Sequence, residues 1–330
     1  MMKFGVSLLA CVIALGTAGP VAAGTNHFDL WLESGMLKGD STYTIGGTYS
    51  DNAGNSGHYW DPLSELKWPL DVVLVSLGGQ AQFGRFSMRG EIMKNATGDA
   101  GLMEDSDWGV YYDLSGYNPS FSPSSKDVFS TSNTDLDALI VDVRGRYNVW
   151  QGASFETRVG LGLRYQNISI VASDVHQYSP TYYTYGLDSV FPADPFGASV
   201  PGPGIEYEVT YTIPFAEISG LYRFGTMVSV EGSLGYSPFA QAKDRDDHLL
   251  RSKLSEGSGN GSAWLFDVKL RLQATKHWFA AVGVSGLFID TNGTQKQSIY
   301  GGEDIGYQAT IEQTITSSQT CGSLEVGYSF

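Results

Sequence analysis

Apolar and polar residues alternate along much of the chain, most clearly in four segments: residues 139–147, 155–166, 266–273 and 323–330. A period of two places the apolar residues on one face of a β-strand and the polar residues on the other. The polar faces carry both signs of charge in mid-strand, so arginine and carboxylate side chains can pair there. The pattern predicts an all-β, antiparallel architecture with one apolar and one charged face.

The alternation predicts ten strands. We expect them near residues 26–42, 63–77, 80–93, 134–149, 154–172, 205–223, 226–243, 261–275, 277–291 and 319–330. Tight turns are expected at 77–79, 150–152, 225–226 and 275–276. Long polar connections are expected at 43–62, 94–133, 173–204, 244–260 and 292–318. Short and long connections alternate, so they would lie at opposite rims of an up-and-down barrel, as they do in outer-membrane barrels.

A soluble β-sandwich would also show alternating strands, with its polar face in water. Two features favour a membrane barrel instead. Aromatic residues lie near the predicted strand ends, as in interfacial girdles: Trp68, Tyr147, Trp150, Trp278 and Phe330. The alternating last strand, which ends in Phe330, resembles the terminal strand of bacterial outer-membrane barrels. We therefore predict a transmembrane β-barrel, closed because an open edge in lipid would leave backbone groups without partners.

The first residues predict export. A positively charged head, an apolar run at 4–15 and small residues before Gly24 indicate a signal peptide over residues 1–23, which leaves 24–330 as a single barrel domain. The alternative is a lipoprotein box ending at Cys11, but the apolar stretch before that cysteine is short and continues beyond it. If the signal peptide is removed, Cys321 is the one remaining cysteine and cannot form an intrachain disulfide.

The composition agrees with a β-barrel. The 330 residues include 41 glycines and 19 tyrosines, and only 17% of them are charged. The formal net charge of −15 argues against nucleic acid as a partner and favours cationic ones.

Two acidic clusters are candidates for chemistry. Asp246 and His248 are two residues apart, so in a strand they share a face, where a carboxylate can orient an imidazole as a general base. Asp105 and Asp107 share a face by the same rule. A cleft between the clusters would hold a water molecule, although acidic loops are usually only solvated. Because the two clusters hold only one histidine and the chain has no metal-binding cysteine pattern, we expect no metal site.

At these residues the chain resembles the omptin family of outer-membrane endopeptidases, which are ten-stranded barrels. Residues 103–108 resemble that family's Met-x-Asp-x-Asp-Trp segment, and residues 244–248 resemble its Asp-x-Asp-x-His segment. Arg-Ser-Lys at 251–253 follows, as in the family. Further similarity covers residues 35–39, 64–68, 162–166 and 213–224.

The resemblance implies an aspartic-type endopeptidase whose four catalytic residues are Asp105, Asp107, Asp246 and His248. Asp246 would orient His248, and His248 would take a proton from a water positioned with help from Asp105 and Asp107. No covalent acyl-enzyme, metal or other cofactor would take part. We expect a monomer in the outer membrane with its active site facing the exterior, and peptide or protein substrates.

The chain departs from the family at positions that concern specificity. The family binds a basic substrate side chain with an acidic residue on the first long loop and an aspartate that matches Asp244; here Tyr43 stands at the first position. At the family's lipopolysaccharide site Tyr165 fits, but Ser169 and Thr210 replace basic residues. Lipopolysaccharide is therefore a candidate activator only. The alternative function is a non-enzymatic barrel: a pore, an adhesin or an inactive omptin relative.

Overall fold

The computed structural model describes residues 27–108, 128–178 and 198–330, so the predicted signal peptide lies outside the described residues. The described chain is almost entirely strand, with one 3-10 turn at Leu249–Arg251. Within it, no helix is long and apolar enough to cross a membrane. The strand segments are β1 (His27–Asp51), β2 (Ser56–Pro69), β3 (Val72–Phe83), β4 (Phe86–Asn95), β5 (Asp99–Asp107), β6 (Val128–Gln151), β7 (Phe155–Tyr178), β8 (Ala198–Phe224), β9 (Val228–His248), β10 (Lys253–Gln273), β11 (Trp278–Ile299) and β12 (Gln308–Ser329).

The segments form a closed ring of ten antiparallel strands, as the sequence predicts. The last strand pairs with the first along their length, from Asp29 opposite Ser329 to Asp51 opposite Ala309. Segments β2 and β3 are two parts of one barrel strand, and β4 and β5 are two parts of the next. In the half of the barrel near His27, called here the lower half, β3 and β4 lie between β1 and β6. In the upper half, β2 and β5 take those places.

The turn predicted at residues 77–79 is wrong. Those residues lie within β3, and the chain turns instead at Gly84, whose φ of 60° suits a tight turn. Gly78 has a packing role, because a Cβ atom there would lie 2.3 Å from the indole ring of Trp31. Gly78 thus makes room for an aromatic side chain inside the barrel. The other three predicted turns match the connections at 152–154, 225–227 and 274–277.

The long connections predicted at 43–62, 244–260 and 292–318 are also largely wrong. Strand structure continues through most of them, and the actual connections are 52–55, 249–252 and 300–307. Parts of 94–133 and 173–204 are strand as well, although residues 109–127 and 179–197 lie outside the described residues. The reason is that the strands continue above the apolar outer surface, where both faces carry polar residues and the alternation fades.

The outer surface of the lower half is an apolar band. Its exposed side chains include Leu30, Leu32, Met36, Leu161, Leu163, Leu234, Tyr236, Phe239, Leu324 and Val326. On β9 the outward positions beyond Phe239 are the polar Gln241, Lys243 and Arg245. An apolar band of this kind is the lipid-facing surface of a transmembrane barrel. The site described below lies above it.

Four of the five aromatic residues predicted at the strand ends are exposed: Tyr147, Trp150, Trp278 and Phe330. Trp68 is an exception, because it is fully buried inside the barrel and stacks on Tyr207 with ring centroids 4.7 Å apart. Trp68 lies near the end of β2, but β2 is only one part of a barrel strand, so this end does not mark the end of a membrane-spanning strand.

The interior of the barrel has three layers of side chains. The inward-facing residues of β9 contribute to each layer in turn, from the lower to the upper end. Near its start, Glu231 belongs to a network of buried ion pairs; Ala240 and Ala242 belong to an apolar layer; and Asp244, Asp246 and His248 form the top. In the network, as the charged strand faces predict, arginines pair with carboxylates. The apolar layer is contributed by most of the strands, with residues such as Leu37, Leu74, Ile140, Ile168, Ile213, Leu287 and Ile289.

Candidate active site

The upper end of β9 places three acidic or basic side chains on the inner face of the barrel. Asp244, Asp246 and His248 alternate with outward-facing residues, and each is at most 6% exposed. The strand extends to His248, which is the condition on which the predicted Asp–His pair depends. The intervening Asp247 instead accepts hydrogen bonds from Arg245 at 2.9 Å and from the hydroxyl group of Tyr300 at 2.8 Å.

Asp246 and His248 form a buried pair. Nε2 of His248 lies 2.9 Å from Oδ2 of Asp246, and the hydroxyl group of Tyr43 donates a hydrogen bond to the same oxygen. Burial raises the pKa of Asp246, but the interaction with His248, the charge of Lys253 and the hydrogen bond from Tyr43 together outweigh it, and the carboxyl pKa falls below its usual value. Asp246 is therefore a carboxylate at neutral pH that can accept a hydrogen bond from the Nε2–H group of His248 and fix the imidazole tautomer.

Burial lowers the pKa of His248 below its usual value, although Asp246 acts in the opposite direction. The nearby cations Lys253 and Arg251 lower it further. The imidazole is thus neutral at pH 7, and if Nε2 carries the proton shared with Asp246, Nδ1 keeps a free electron pair. A neutral imidazole held by a carboxylate is the arrangement that a general base requires.

Asp105 and Asp107 lie on β5, which is held between β2 and β6. Both side chains are buried, with exposed fractions of 4% and 6%. Burial, together with the neighbouring charge of Asp107, raises the pKa of Asp105 to about 8. Asp105 is therefore mostly protonated at neutral pH and can donate a hydrogen bond. Its Oδ1 atom has no hydrogen-bond partner among the described residues.

A single cavity brings the two clusters together. It has a volume of about 290 Å³, and Asp105, Asp107 and His248 all line it. A water molecule occupies roughly 30 Å³ of liquid, so the cavity has room for a water and part of a peptide. The rest of the wall consists of Ile45, Tyr59, Leu63, Ser64, Arg251, Lys253 and Gln297. The expected cleft between the aspartate pair and the Asp–His pair is thus present.

The two predicted substrate-binding residues lie deeper. Tyr43 is 2% exposed, and its ring centroid is 5.7 Å from that of Tyr207. Asp244 accepts a hydrogen bond of 2.8 Å from the side-chain amide of Gln313, and its other oxygen has no described partner. Burial raises the pKa of Asp244 to about 7. Neither residue lines the cavity, so their role in substrate binding stays a prediction.

The predicted lipid-binding residue, Tyr165, lies on the outer face of β7 and is 37% exposed. Nearby, Asn167 donates hydrogen bonds to Glu208 at 2.7 Å and to Thr210 at 3.0 Å, and Ser169 is paired with Glu208. Lipid binding by this surface stays a prediction.

Sequence reasoning assigned no role to Lys253, Gln313 or Tyr207. Lys253 could have been found, because the short connection after β9 places it opposite His248 in a hairpin. Gln313 and Tyr207 come from strands distant in sequence, and nothing in their local pattern indicates the site. Within the described residues, no group of three histidine, cysteine or carboxylate side chains could hold a metal ion. The expectation of a metal-free site stays a prediction.

Comparison with known proteins places the chain in a family. The model of the Omptin family matches residues 26–309. No curated protein matches the chain. Among solved structures, the outer membrane protease OmpT from Escherichia coli aligns with a TM-score of 0.71 at 14% identity, over 92% of this chain and 97% of that one.

Two other barrels align much less well. The translocator domain of the autotransporter NalP from Neisseria meningitidis has a TM-score of 0.37 at 11% identity, covering 97% of this chain and 92% of that one. The outer membrane protein OprG from Pseudomonas aeruginosa also has a TM-score of 0.37, at 8% identity, covering 92% of this chain and 96% of that one. These values are too low to support an argument. The family match and the OmpT-like ring of ten strands agree, and the chain is an outer-membrane β-barrel protein that belongs to the Omptin family.

Proposed function

We propose that this protein is an outer-membrane endopeptidase that hydrolyses peptide bonds with a water molecule activated by Asp246, His248, Asp105 and Asp107. One observation carries the proposal. His248, which is hydrogen-bonded to Asp246 at 2.9 Å, lines the same cavity as Asp105 and Asp107. Membership of the Omptin family supports the same activity.

The residues would act as follows. Asp246 holds His248 in one tautomer, and the neutral imidazole removes a proton from the water as the oxygen attacks the peptide carbonyl. The carboxylate of Asp107 accepts a hydrogen bond from that water, and protonated Asp105 donates one. When the C–N bond breaks, the imidazolium returns the proton to the leaving amine. No covalent intermediate with the protein forms in this scheme.

The substrate would be a peptide or protein that enters from the upper rim, which faces the cell exterior in this proposal. The negative net charge of the chain favours cationic substrates. We also propose that lipopolysaccharide activates the protein and that the protein acts as a monomer.

Peptide hydrolysis by the refolded barrel tests the proposal. We expect the wild-type protein, in detergent with lipopolysaccharide, to cleave members of a peptide library. His248→Ala should lower kcat by about 10³-fold or more, since a catalytic pair acts as a unit. His27→Ala is the matched control, because His27 lies at the opposite end of the barrel, where it contacts Asp29, and should leave cleavage unchanged. Equal cleavage by wild type and His248→Ala would refute the proposal.

Intact cells test the orientation. Cells that carry the protein should hydrolyse an added peptide too large to enter the periplasm, and His248→Ala cells should not. Cleavage that appears only after the outer membrane is broken would contradict an outward-facing site.

A further inference from the structure

Lys253 is the first residue of β10 and lies directly opposite His248 in the antiparallel ladder between β9 and β10. The Cα atoms of two such opposed residues are about 4.5–5.5 Å apart, and their side chains point to the same face of the sheet. Both side chains line the cavity that also contains Asp105 and Asp107. The fold therefore holds a primary amine beside the candidate general base.

Charges of both acidic clusters act on Lys253. Burial and the neighbouring charge of Arg251 lower the pKa of Lys253 below its usual value, whereas Asp246, Asp107 and Asp105 all favour the charged form. Lys253 is half-buried, and within the described residues its ammonium group forms no hydrogen bond or ion pair. The amine is therefore held in the cavity by the fold and not by a salt bridge.

The proposed reaction needs a hydrogen-bond donor for the substrate oxygen, and a positively charged donor stabilises developing negative charge most strongly. When water attacks a peptide carbonyl, negative charge develops on the carbonyl oxygen, and a fixed donor aimed at that oxygen stabilises the transition state. Three of the four candidate catalytic side chains are carboxyl groups, which would repel this charge when ionised. Among the described residues, the cavity wall contributes the cations Lys253 and Arg251. Arg251 belongs to the 3-10 turn, whereas Lys253 is aligned with the base.

We propose that Lys253 is a further catalytic residue, whose ammonium group binds the oxyanion formed when water attacks the substrate carbonyl. The inference rests on the proposed peptidase function. In this step the water oxygen forms a bond to the carbonyl carbon, His248 takes the water proton, and the carbonyl π electrons move onto the oxygen that Lys253 contacts. On collapse the carbonyl re-forms, the C–N bond breaks, and the imidazolium protonates the amine. Lys253 keeps its proton throughout.

Steady-state kinetics with a peptide that the wild-type protein cleaves test this role. Removing one oxyanion donor typically costs about 10²–10³-fold in kcat, so Lys253→Met should lose that much with KM within about threefold of wild type. Lys253→Arg, which keeps a positive donor, should recover at least about tenfold of the loss. Lys243→Met is the matched control, since Lys243 lies on the outer face of β9 and should keep full activity.

A transition-state mimic provides a second readout. A peptide trifluoromethyl ketone, which binds as its hydrate, carries an oxygen at the oxyanion position. Lys253→Met should weaken its binding by the same 10²–10³-fold while leaving the Kd of a non-cleavable reduced-amide peptide within threefold. Each variant is first checked for the folded barrel by its heat-modifiable mobility in SDS. If Lys253→Met does not fold, the comparison is made with Lys253→Arg and Lys253→Gln.

The outcomes separate the two proposals. Full kcat in folded Lys253→Met, beside an inactive His248→Ala, would overturn the oxyanion role and leave the peptidase intact. A rise in KM with unchanged kcat would assign Lys253 to substrate binding and also overturn the role. Absence of any peptidase activity in the wild-type protein would overturn both proposals.

Discussion

The hydroxyl group of Tyr43 donates a hydrogen bond to Oδ2 of Asp246. The contact joins β1 to β9, and both side chains are almost fully buried. The same oxygen contacts His248, so Tyr43 helps to fix the carboxylate that fixes the imidazole. A residue that the resemblance assigns to substrate binding is thus placed where it supports the proposed catalytic pair.

Tyr43→Phe tests this support. The variant keeps the ring and removes the donor, so Asp246 loses one of the two hydrogen-bond partners that it has among the described residues. A hydrogen bond to a charged group contributes about 1.5–3 kcal/mol, and we expect kcat/KM to fall by about tenfold to a hundredfold. Tyr236→Phe, on the lipid-facing surface, is the control and should be silent. Unchanged kinetics in folded Tyr43→Phe would show that the hydrogen bond does not orient the pair.

The pH dependence of cleavage follows from two shifted groups. The pKa of His248 is lowered, so the imidazole stays neutral until the pH falls below its ordinary value near 6.5, and activity should decline only below that point. The pKa of Asp105 is raised to about 8, so its proton is present at neutral pH and lost above about 8. If that proton is needed, kcat/KM should also fall on the alkaline side.

Asp105→Asn separates the acidic and the alkaline declines of kcat/KM. The amide keeps a neutral donor that does not titrate, so the alkaline decline should disappear while the acidic decline remains. The measurement is kcat/KM from pH 4 to pH 10 for wild type and variant. An alkaline limb that persists in Asp105→Asn would assign it to another group. A wild-type profile that is flat between pH 4 and pH 7 would contradict the role of His248 as the base.

The sequence was sufficient for the ring of ten strands and for the faces of its strands, because both depend on a local period of two. The turn predicted at Gly78 shows where a local pattern misleads. A glycine is needed there because the side chain of Trp31, which is distant in sequence, packs against it, and not because the chain turns. The pairing of Asp246 with His248 was predictable because two residues on one strand share a face. The buried position of Tyr43 was not, because it depends on β1 and β9 meeting across the barrel interior.

Gly257→Ala should disturb the acidic layer below the cavity. A Cβ atom at Gly257 would lie 2.2 Å from Oδ1 of Asp244 and 2.0 Å from Oε1 of Gln313, so both side chains would have to move. Overpacking of this kind typically costs about 1–3 kcal/mol. Gly90→Ala is the control, since nothing lies within 4 Å of its added methyl group. We expect Gly257→Ala to lower the unfolding temperature in detergent and Gly90→Ala to leave it unchanged. Equal unfolding temperatures in the two variants would show that Asp244 and Gln313 can move aside without loss of stability.

Removing Arg144 should destabilise the barrel far more than removing an exposed cation. Its guanidinium group lies 2.6 Å from Asp142, 3.2 Å from Glu217 and 2.8 Å from Asp267, and the side chain is only 8% exposed. Arg144→Ala would leave Asp267 without an ion-pair partner among the described residues, and would leave Glu217 with Arg146 and Asp142 with Arg164. Breaking a buried ion pair typically costs about 3–5 kcal/mol.

Lys94→Ala is the matched comparison, because its ion pair with Asp137 is exposed on both sides and such pairs contribute about 0–1 kcal/mol. The free energy of unfolding, measured by urea titration of the barrel in lipid vesicles, should therefore fall several-fold more for Arg144→Ala than for Lys94→Ala. Because the network lies well below the cavity, Arg144→Ala protein that remains folded should keep its peptidase kcat. Similar losses of stability in the two variants would mean that the interior network is as well solvated as the exposed pair of Lys94 and Asp137.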